Sequence, residues 1–143
     1  MPAPSAVDVP VLAHDLRIAC MRVARRVRFD ADNTVPPHLF SVLVRLAEQP
    51  RTVGELAGIE QVSPPSMSRT ASQLCEAGYA VRMSDEHDGR LVRLALTPLG
   101  QETVRTERAH RDRWFTERLE DLSAEDQRLL HRATELLEEL VAR

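Results

Sequence analysis

The sequence predicts a mainly α-helical subunit that carries one small β-hairpin, with helices at its two ends available to a partner. Three observations lead there. Apolar residues recur at helical spacing along most of the 143 residues. Two short stretches, Tyr79 to Ser84 and Leu91 to Leu96, alternate apolar with polar residues on either side of an Asp88-Gly89 turn signal. The first and last helices each carry an apolar stripe that nothing near in sequence covers.

The first helix is read over Val11 to Phe29. Leu12, Leu16, Ala19, Cys20, Val23 and Val27 fall at helical spacing, and Arg17, Arg22, Arg25, Arg26 and Arg28 take other positions. "DADNTVPP", Asp30 to Pro37, breaks it. A second helix, Pro37 to Glu48, presents Leu39, Phe40, Leu43, Leu46 and Ala47, and Pro50 stops it. Thr52 and Glu55 have capping-box spacing: the Thr hydroxyl accepts from the Glu55 amide while the Glu55 carboxylate accepts from the Thr52 amide. A short helix follows to about Glu60. Ser63 can cap the next one, with Pro64 in its first turn, where a missing N–H costs nothing. Met67, Ala71, Leu74 and Cys75 face inward, and Gly78 supplies a left-handed stop. Two short helices joined by a few residues outline a helix-turn-helix.

The hairpin follows directly. Tyr79, Val81 and Met83 alternate with Ala80, Arg82 and Ser84; Val92, Leu94 and Leu96 alternate with Leu91, Arg93 and Ala95. Each strand is expected to bury its apolar face, with "DEHDGR" as the tip. Two strands alone are marginal, so helices must cover that face. A hairpin placed directly after a helix-turn-helix makes a winged helix, and the charged loop is the wing.

After Pro98 the stretch Leu99 to Arg113 is polar nearly all round, with Val104 and Ala109 among charged residues, as in a solvent-bridging arm. Apolar residues return at Trp114, Phe115, Leu119 and Leu122. Ser123 can cap a last helix with Glu125 and Asp126 in its first turn. That helix carries Leu129, Leu130, Ala133, Leu136, Leu137, Leu140 and Val141. A second copy of the chain would cover this stripe and that of the first helix, most simply as a two-fold dimer. The organisation expected is an N-terminal dimerisation helix over 1–36, a winged helix-turn-helix lobe over 37–100, and a connecting arm with C-terminal dimerisation helices over 101–143.

Composition narrows the classes of function. Aromatic residues are 3%, so the core is aliphatic. A net charge of -3 does not advertise nucleic-acid binding, although a local patch survives such a balance. All 19 basic residues are Arg, which grips phosphate bidentately as Lys cannot. Cys20 and Cys75 are too few for a disulfide framework. No signal-peptide pattern opens the chain, and no window approaches the roughly 20 apolar residues of a membrane span. A soluble, cytoplasmic protein is expected. No Ser-His-Asp arrangement, phosphate loop or convergent carboxylate pair is present, so the chain reads as a non-enzyme without a cofactor. Glu107 and His110 share a helix face, but no second His follows one turn on, and no metal site is assigned.

"TVGELAGIEQVSPPSMSRTASQLCEAGYAVR" followed by "DEHDGRLVRLALTPLG" resembles the MarR family of bacterial transcription regulators. The family's Asp-x-Arg at the wing tip, its strand ending in Leu-Thr and its Gly three residues on correspond to Asp88, Arg90, Leu96, Thr97 and Gly100. Its Thr-Val-x-Glu-Leu-Ala opening corresponds to Thr52 to Ala57, and the Ser/Thr-Arg of its recognition helix to Ser68 and Arg69. The motifs cover about Pro37 to Val104; the rest matches by helix order. The resemblance implies a triangular homodimer on pseudo-palindromic promoter DNA, usually a repressor. Many members release DNA when a small, often phenolic, molecule binds between the lobe and the dimerisation helices; others respond to thiol oxidation or metal. The sequence departs from many relatives in offering only Arg82 just before the wing. From Ser63 to Gly100, Arg69, Arg82, Arg90 and Arg93 are balanced by Glu76, Asp85, Glu86 and Asp88, so modest non-specific affinity is expected.

The candidate contacts with double-stranded DNA follow. Ser66, Ser68 and Arg69 suit phosphates and base edges in the major groove. Ser63 reads equally as a cap and Met67 as core. Gln73 lies one turn further in, within reach of a phosphate. Arg90 is expected in the minor groove, its guanidinium held by Asp88; as a plain surface ion pair the two would be worth under about 1 kcal/mol. His87 is a second wing candidate. Arg51 and Thr52 sit at a helix N-terminus, a natural phosphate seat. An effector pocket is expected where the first two helices meet the polar arm, with Met21, Arg22, Phe29, His38 and Phe40 as candidates. Cys20 is a thiol-sensor candidate, but it lies on the apolar stripe, where small buried cysteines are common. Relatives that sense peroxide support that Cys with tyrosines, and the one Tyr here is Tyr79. Two other readings stand beside the ligand-released repressor: a redox switch through Cys20, and a winged helix used for protein–protein contact.

Overall fold

In a computed structural model that describes residues 6–142, the chain runs α1 (Val9–Asp30), α2 (Pro37–Glu48), β1 (Arg51–Thr52), α3 (Val53–Glu60), α4 (Pro64–Glu76), β2 (Ala80–Ser84), β3 (Val92–Leu96), α5 (Pro98–Glu120) and α6 (Ala124–Val141). Short-range chemistry sets most of these limits. Asp8 caps α1 by accepting from the Val11 amide at 3.1 Å, and Ser123 caps α6 by accepting from the Asp126 amide at 3.1 Å. Gly78 follows α4 with φ +79°, the left-handed stop expected of it. Gln61 ends α3 in the same region, φ 53°, which a non-glycine residue seldom adopts.

The sheet corrects the two-stranded reading. Arg51–Thr52 pairs with β3, Arg51 opposite Leu94 and Thr52 opposite Arg93, giving a three-stranded antiparallel sheet in the order β1-β3-β2. A strand of two residues is too short to show alternation, so periodicity could not reveal it. The strand faces also differ from expectation. Ala80 and Leu94 are buried, whereas Val81, Met83 and Val92 are 45%, 51% and 50% exposed. Helices cover the base of the hairpin only; further out both faces meet solvent. Gly89 does not adopt a positive φ either, so no Asp-Gly turn of the left-handed type closes the tip.

The core lies under that base. Val42, Leu43 and Leu46 of α2, Leu56 and Ala57 of α3, Met67, Ala71 and Leu74 of α4, Ala80, Leu94 and Val104 form one buried cluster with Val35. The polar arm and the apolar residues after it are one continuous helix, α5. No residue of α1 or α6 is buried. Cys20, read as a small buried residue, is exposed, because its stripe has no cover within the chain. Among the described residues no helix is long and apolar enough to cross a membrane.

Candidate nucleic-acid interface

The helix-turn-helix is fastened by two caps. The Thr52 hydroxyl accepts from the Glu55 amide at 3.1 Å while a Glu55 carboxylate oxygen accepts from the Thr52 amide at 3.0 Å, the reciprocal box that the spacing predicts. Ser63 accepts from the Ser66 amide at 3.3 Å, and its hydroxyl lies 2.9 Å from that of Ser66. Arg69 Nη2 donates to the Ser66 hydroxyl at 3.4 Å, so Ser63, Ser66 and Arg69 form one chain of polar contacts at the head of α4. Met67 points the other way, into the core, 2% exposed. Ser68, Arg69 and Gln73 are exposed. Gln73 Oε1 lies 3.4 Å from His38 Nε2 of α2, which joins a DNA candidate to an effector candidate. Arg82 of β2 reaches back over α4 to Ser72 and Cys75, each at 3.4 Å, and lays a second guanidinium beside the helix. Sequence reasoning counted Arg82 only as charge, since nothing local shows which element it leans on.

The wing is a loop from Asp85 to Leu91, and its tip is almost wholly in solvent. Arg90 is 96% exposed. Asp88 accepts from the Arg90 amide at 3.0 Å and lies 3.6 Å from Arg90 Nε, so it fixes the backbone of that residue with the guanidinium close by in solvent. The base is held by a residue that sequence reasoning missed. Asp85 Oδ1 accepts from the amides of His87 and Asp88 at 2.8 and 3.0 Å, and Asp85 Oδ2 accepts from Arg93 Nε. The Arg93 guanidinium, then those two amides, hold the Asp85 carboxyl down at about 2. Arg93 Nη1 also meets both Glu55 oxygens, at 3.1 and 3.2 Å. Arg51 turns back on the end of α2. Its Nη2 lies 2.8 Å from Glu48, and its side chain is 17% exposed, so that cation is engaged rather than presented.

The five effector candidates do not converge. Phe40 lies beneath the Arg111 guanidinium, 3.7 Å from the ring centre, and lines a cavity with Arg28 and Arg111 where α1, α2 and α5 meet. Met21 and Phe29 are 59% and 61% exposed, and Arg22 and His38 are also exposed. Beside that cavity stands a group the sequence did not single out for this role. Glu107, on the helix read as solvent-bridging, has no solvent exposure. Glu107 Oε1 accepts from the Thr34 hydroxyl at 2.6 Å and the Thr34 amide at 2.8 Å, and Glu107 Oε2 pairs with Arg111 at 3.3 Å. Burial pushes its carboxyl up, but the Thr34 and Val35 donors and the Arg111 charge outweigh this and hold it below the ordinary range. Around the same junction Asn33 Oδ1, His110 Nδ1 and Trp114 Nε1 are buried without hydrogen-bond partners. Among the described residues no group of three or more His, Cys, Asp or Glu side chains is placed to hold a metal ion.

Comparison with known proteins agrees with this architecture. A family model described as MarR family matches residues 34–91. The chain is 38% identical over 132 residues to an uncharacterized HTH-type transcriptional regulator of Mycobacterium leprae, covering 91% of this chain and 92% of that protein. Among solved structures it is similar to a putative transcriptional regulator from Pseudomonas aeruginosa, with TM-score 0.81, 26% identity and coverage of 98% and 99% of the two chains. It is also similar to a MarR family protein from Bacillus stearothermophilus, with TM-score 0.76, 24% identity and coverage of 99% and 100%.

Proposed function

The chain belongs to the MarR family of transcriptional regulators, winged-helix DNA-binding proteins rather than enzymes, and from that premise we propose that it is a cytoplasmic repressor that binds a pseudo-palindromic promoter site as a homodimer. One observation carries the reading. α4 turns Ser68, Arg69 and Gln73 to solvent, while the wing beside it ends in a 96% exposed Arg90 oriented by Asp88. Hydroxyls, an amide and a guanidinium on a helix suit the major groove, and an Arg at a loop tip suits the minor groove or its phosphates. Thr52 and Ser63 serve first as caps. Ser66 backs Arg69, and His87 is a secondary contact; Arg51, held by Glu48, is not presented to DNA.

The division into a dimerisation helix over 1–36, a lobe over 37–100 and an arm with dimerisation helices over 101–143 fits the uncovered apolar residues of α1 and α6. Release by a small effector is supported by the cavity that Arg111, Phe40 and Arg28 line, and by buried polar atoms of Asn33 and Trp114 that have no hydrogen-bond partner in the chain. A buried polar atom without a partner is costly, and a ligand that supplies the partner gains that energy. A thiol switch at Cys20 is a second reading, favoured by the exposure of that residue in the single chain. Peroxide-driven DNA release that survives Cys20→Ser would exclude it.

The test is a gel-shift titration of wild type and Arg90→Ala on duplexes drawn from the promoter regions around its own gene, at two salt concentrations. Sequence-specific binding that Arg90→Ala weakens by about 1–3 kcal/mol supports the reading. Binding no better than to random duplex on every fragment, or affinity indifferent to salt, overturns it.

A further inference from the structure

We infer that Arg93 is a positioning residue for DNA binding: it clasps the wing to the helix-turn-helix and thereby presents Arg90, and it is not itself a phosphate contact. The inference rests on the DNA-binding reading above and deepens it.

A continuous chain of polar contacts leads from α3 to the wing tip. The Thr52 amide donates to Glu55, and both Glu55 oxygens accept from Arg93 Nη1. Arg93 Nε donates to Asp85 Oδ2, and Asp85 Oδ1 accepts from the amides of His87 and Asp88. Asp88 in turn accepts from the Arg90 amide and stands beside its guanidinium. Arg93 suits the central link because it lies on the middle strand, opposite Thr52 of β1 and Met83 of β2. Its side chain is on the face away from buried Leu94, where both carboxylates are. A planar guanidinium can meet two carboxylates with separate N–H groups; a Lys ammonium cannot keep that geometry.

Beyond this chain of contacts the loop is closed by two backbone bonds, from the Asp85 amide to the Leu91 carbonyl and from the Leu91 amide to the Asp88 carbonyl, each 2.9 Å, and neither ties it to the helix-turn-helix. His87 to Leu91 are all exposed, no left-handed glycine turn closes the tip, and Val81, Met83 and Val92 on the flanking strands are not buried. A loop of this kind must be ordered when it meets DNA, and ordering opposes binding unless it is done beforehand. Arg93 is also the wrong group to grip a phosphate. It is 30% exposed, against 96% for Arg90, and it faces two carboxylates.

The clasp makes a prediction of unusual sign. Asp85 is an anion beside a DNA-facing loop. If it were only a surface charge, Asp85→Asn would tighten binding by removing repulsion. If it holds the wing, the same change weakens binding.

The experiment measures affinity for a duplex selected from a random pool by the full-length wild-type protein. The variants are Asp85→Asn, Arg93→Gln and Arg90→Ala, with each of the first two also combined with Arg90→Ala. Hydrogen exchange of the His87 and Asp88 amides is followed in the free proteins. Asp85→Asn and Arg93→Gln should each weaken binding about fivefold, the scale of ordering a long side chain at an interface. In the Arg90→Ala background each effect should shrink to within about twofold, because the tip they position is gone. Exchange at the two amides should quicken in both variants while the amides of Leu43 and Leu74 stay protected, which separates a loosened wing from an unfolded protein. Tighter binding by Asp85→Asn, a full Arg93→Gln effect without Arg90, or unchanged exchange at the wing would overturn the clasp while leaving the DNA-binding reading intact. Failure of wild type to select any sequence would overturn both.

Discussion

Glu107 of α5 accepts from both the hydroxyl and the backbone amide of Thr34, at 2.6 and 2.8 Å, from a position with no solvent exposure. Thr34 belongs to the segment between α1 and α2, and Arg111, the other partner of Glu107, stacks on Phe40 of α2. One carboxylate therefore ties the long arm to the entrance of the DNA-binding lobe.

Glu107→Ala strips partners from the Thr34 amide and from Arg111 together. Breaking a buried pair by removing one member costs about 3–5 kcal/mol, so unfolding in urea should shift by roughly 3 kcal/mol at constant slope. Thr34→Val removes the hydroxyl but keeps the amide contact, and should cost only about 1 kcal/mol. Equal losses in the two variants would mean that the amide bond and the Arg111 pair contribute nothing.

The same carboxylate sets a pH dependence. Its folded pKa lies below the ordinary value because the donors around it outweigh burial. The stabilisation is then fully present above the unfolded value, about 4.3, and is lost as pH falls through the folded one. The stability difference between wild type and Glu107→Gln should be flat above about pH 5 and shrink below about pH 4. A difference that grows on acidification would reverse the sign assigned to this group.

Gly100 is required by a close approach. Thr97 caps α5 by accepting from the Gly100 amide at 3.0 Å, and the Thr97 amide donates to the Tyr79 carbonyl at 3.0 Å. A methyl on Gly100 would overlap that carbonyl oxygen and lie 3.1 Å from the Leu96 side chain. Gly100→Ala should lower stability by about 2 kcal/mol in a thermal melt, the scale of overpacking. Gly89→Ala, whose methyl meets nothing, is the matched control and should melt like wild type.

Two serines five residues apart, Ser63 capping α4 and Ser68 on it, should separate stability from binding. Ser63→Ala removes a cap and should cost about 1 kcal/mol of folding stability. Ser68 is exposed and makes no such contact, so Ser68→Ala should leave stability within about 0.5 kcal/mol while weakening specific DNA binding. Loss of stability with unaltered binding in Ser68→Ala would remove it from the interface.

Leu130 and Leu136 of α6 are 44% and 45% exposed in the single chain. On the proposed homodimer, Leu130→Glu with Leu136→Glu should leave the helical content unchanged and halve the mass seen by sedimentation, since charges do not bury against a partner's apolar face. A double variant that still sediments as a dimer would place the interface elsewhere.

Much of this protein was legible in its sequence. The helix limits, the Thr52–Glu55 box, the Ser63 cap, the Gly78 stop and the Asp88–Arg90 tip all rest on interactions within about four residues, which spacing records directly. The uncovered stripes of α1 and α6 were legible for the same reason, because one helix face can be counted from its own residues. Tertiary structure alone decided the rest. It paired Arg51–Thr52 with β3, turned Ala80 inward in place of Val81, and joined Arg93 to Glu55 across 38 residues and Glu107 to Thr34 across 73. Periodicity cannot specify such partners. A charged side chain on a polar helix reads as solvated until packing removes the water and leaves one particular donor in reach, and the energy of that exchange depends on the neighbour as much as on the residue.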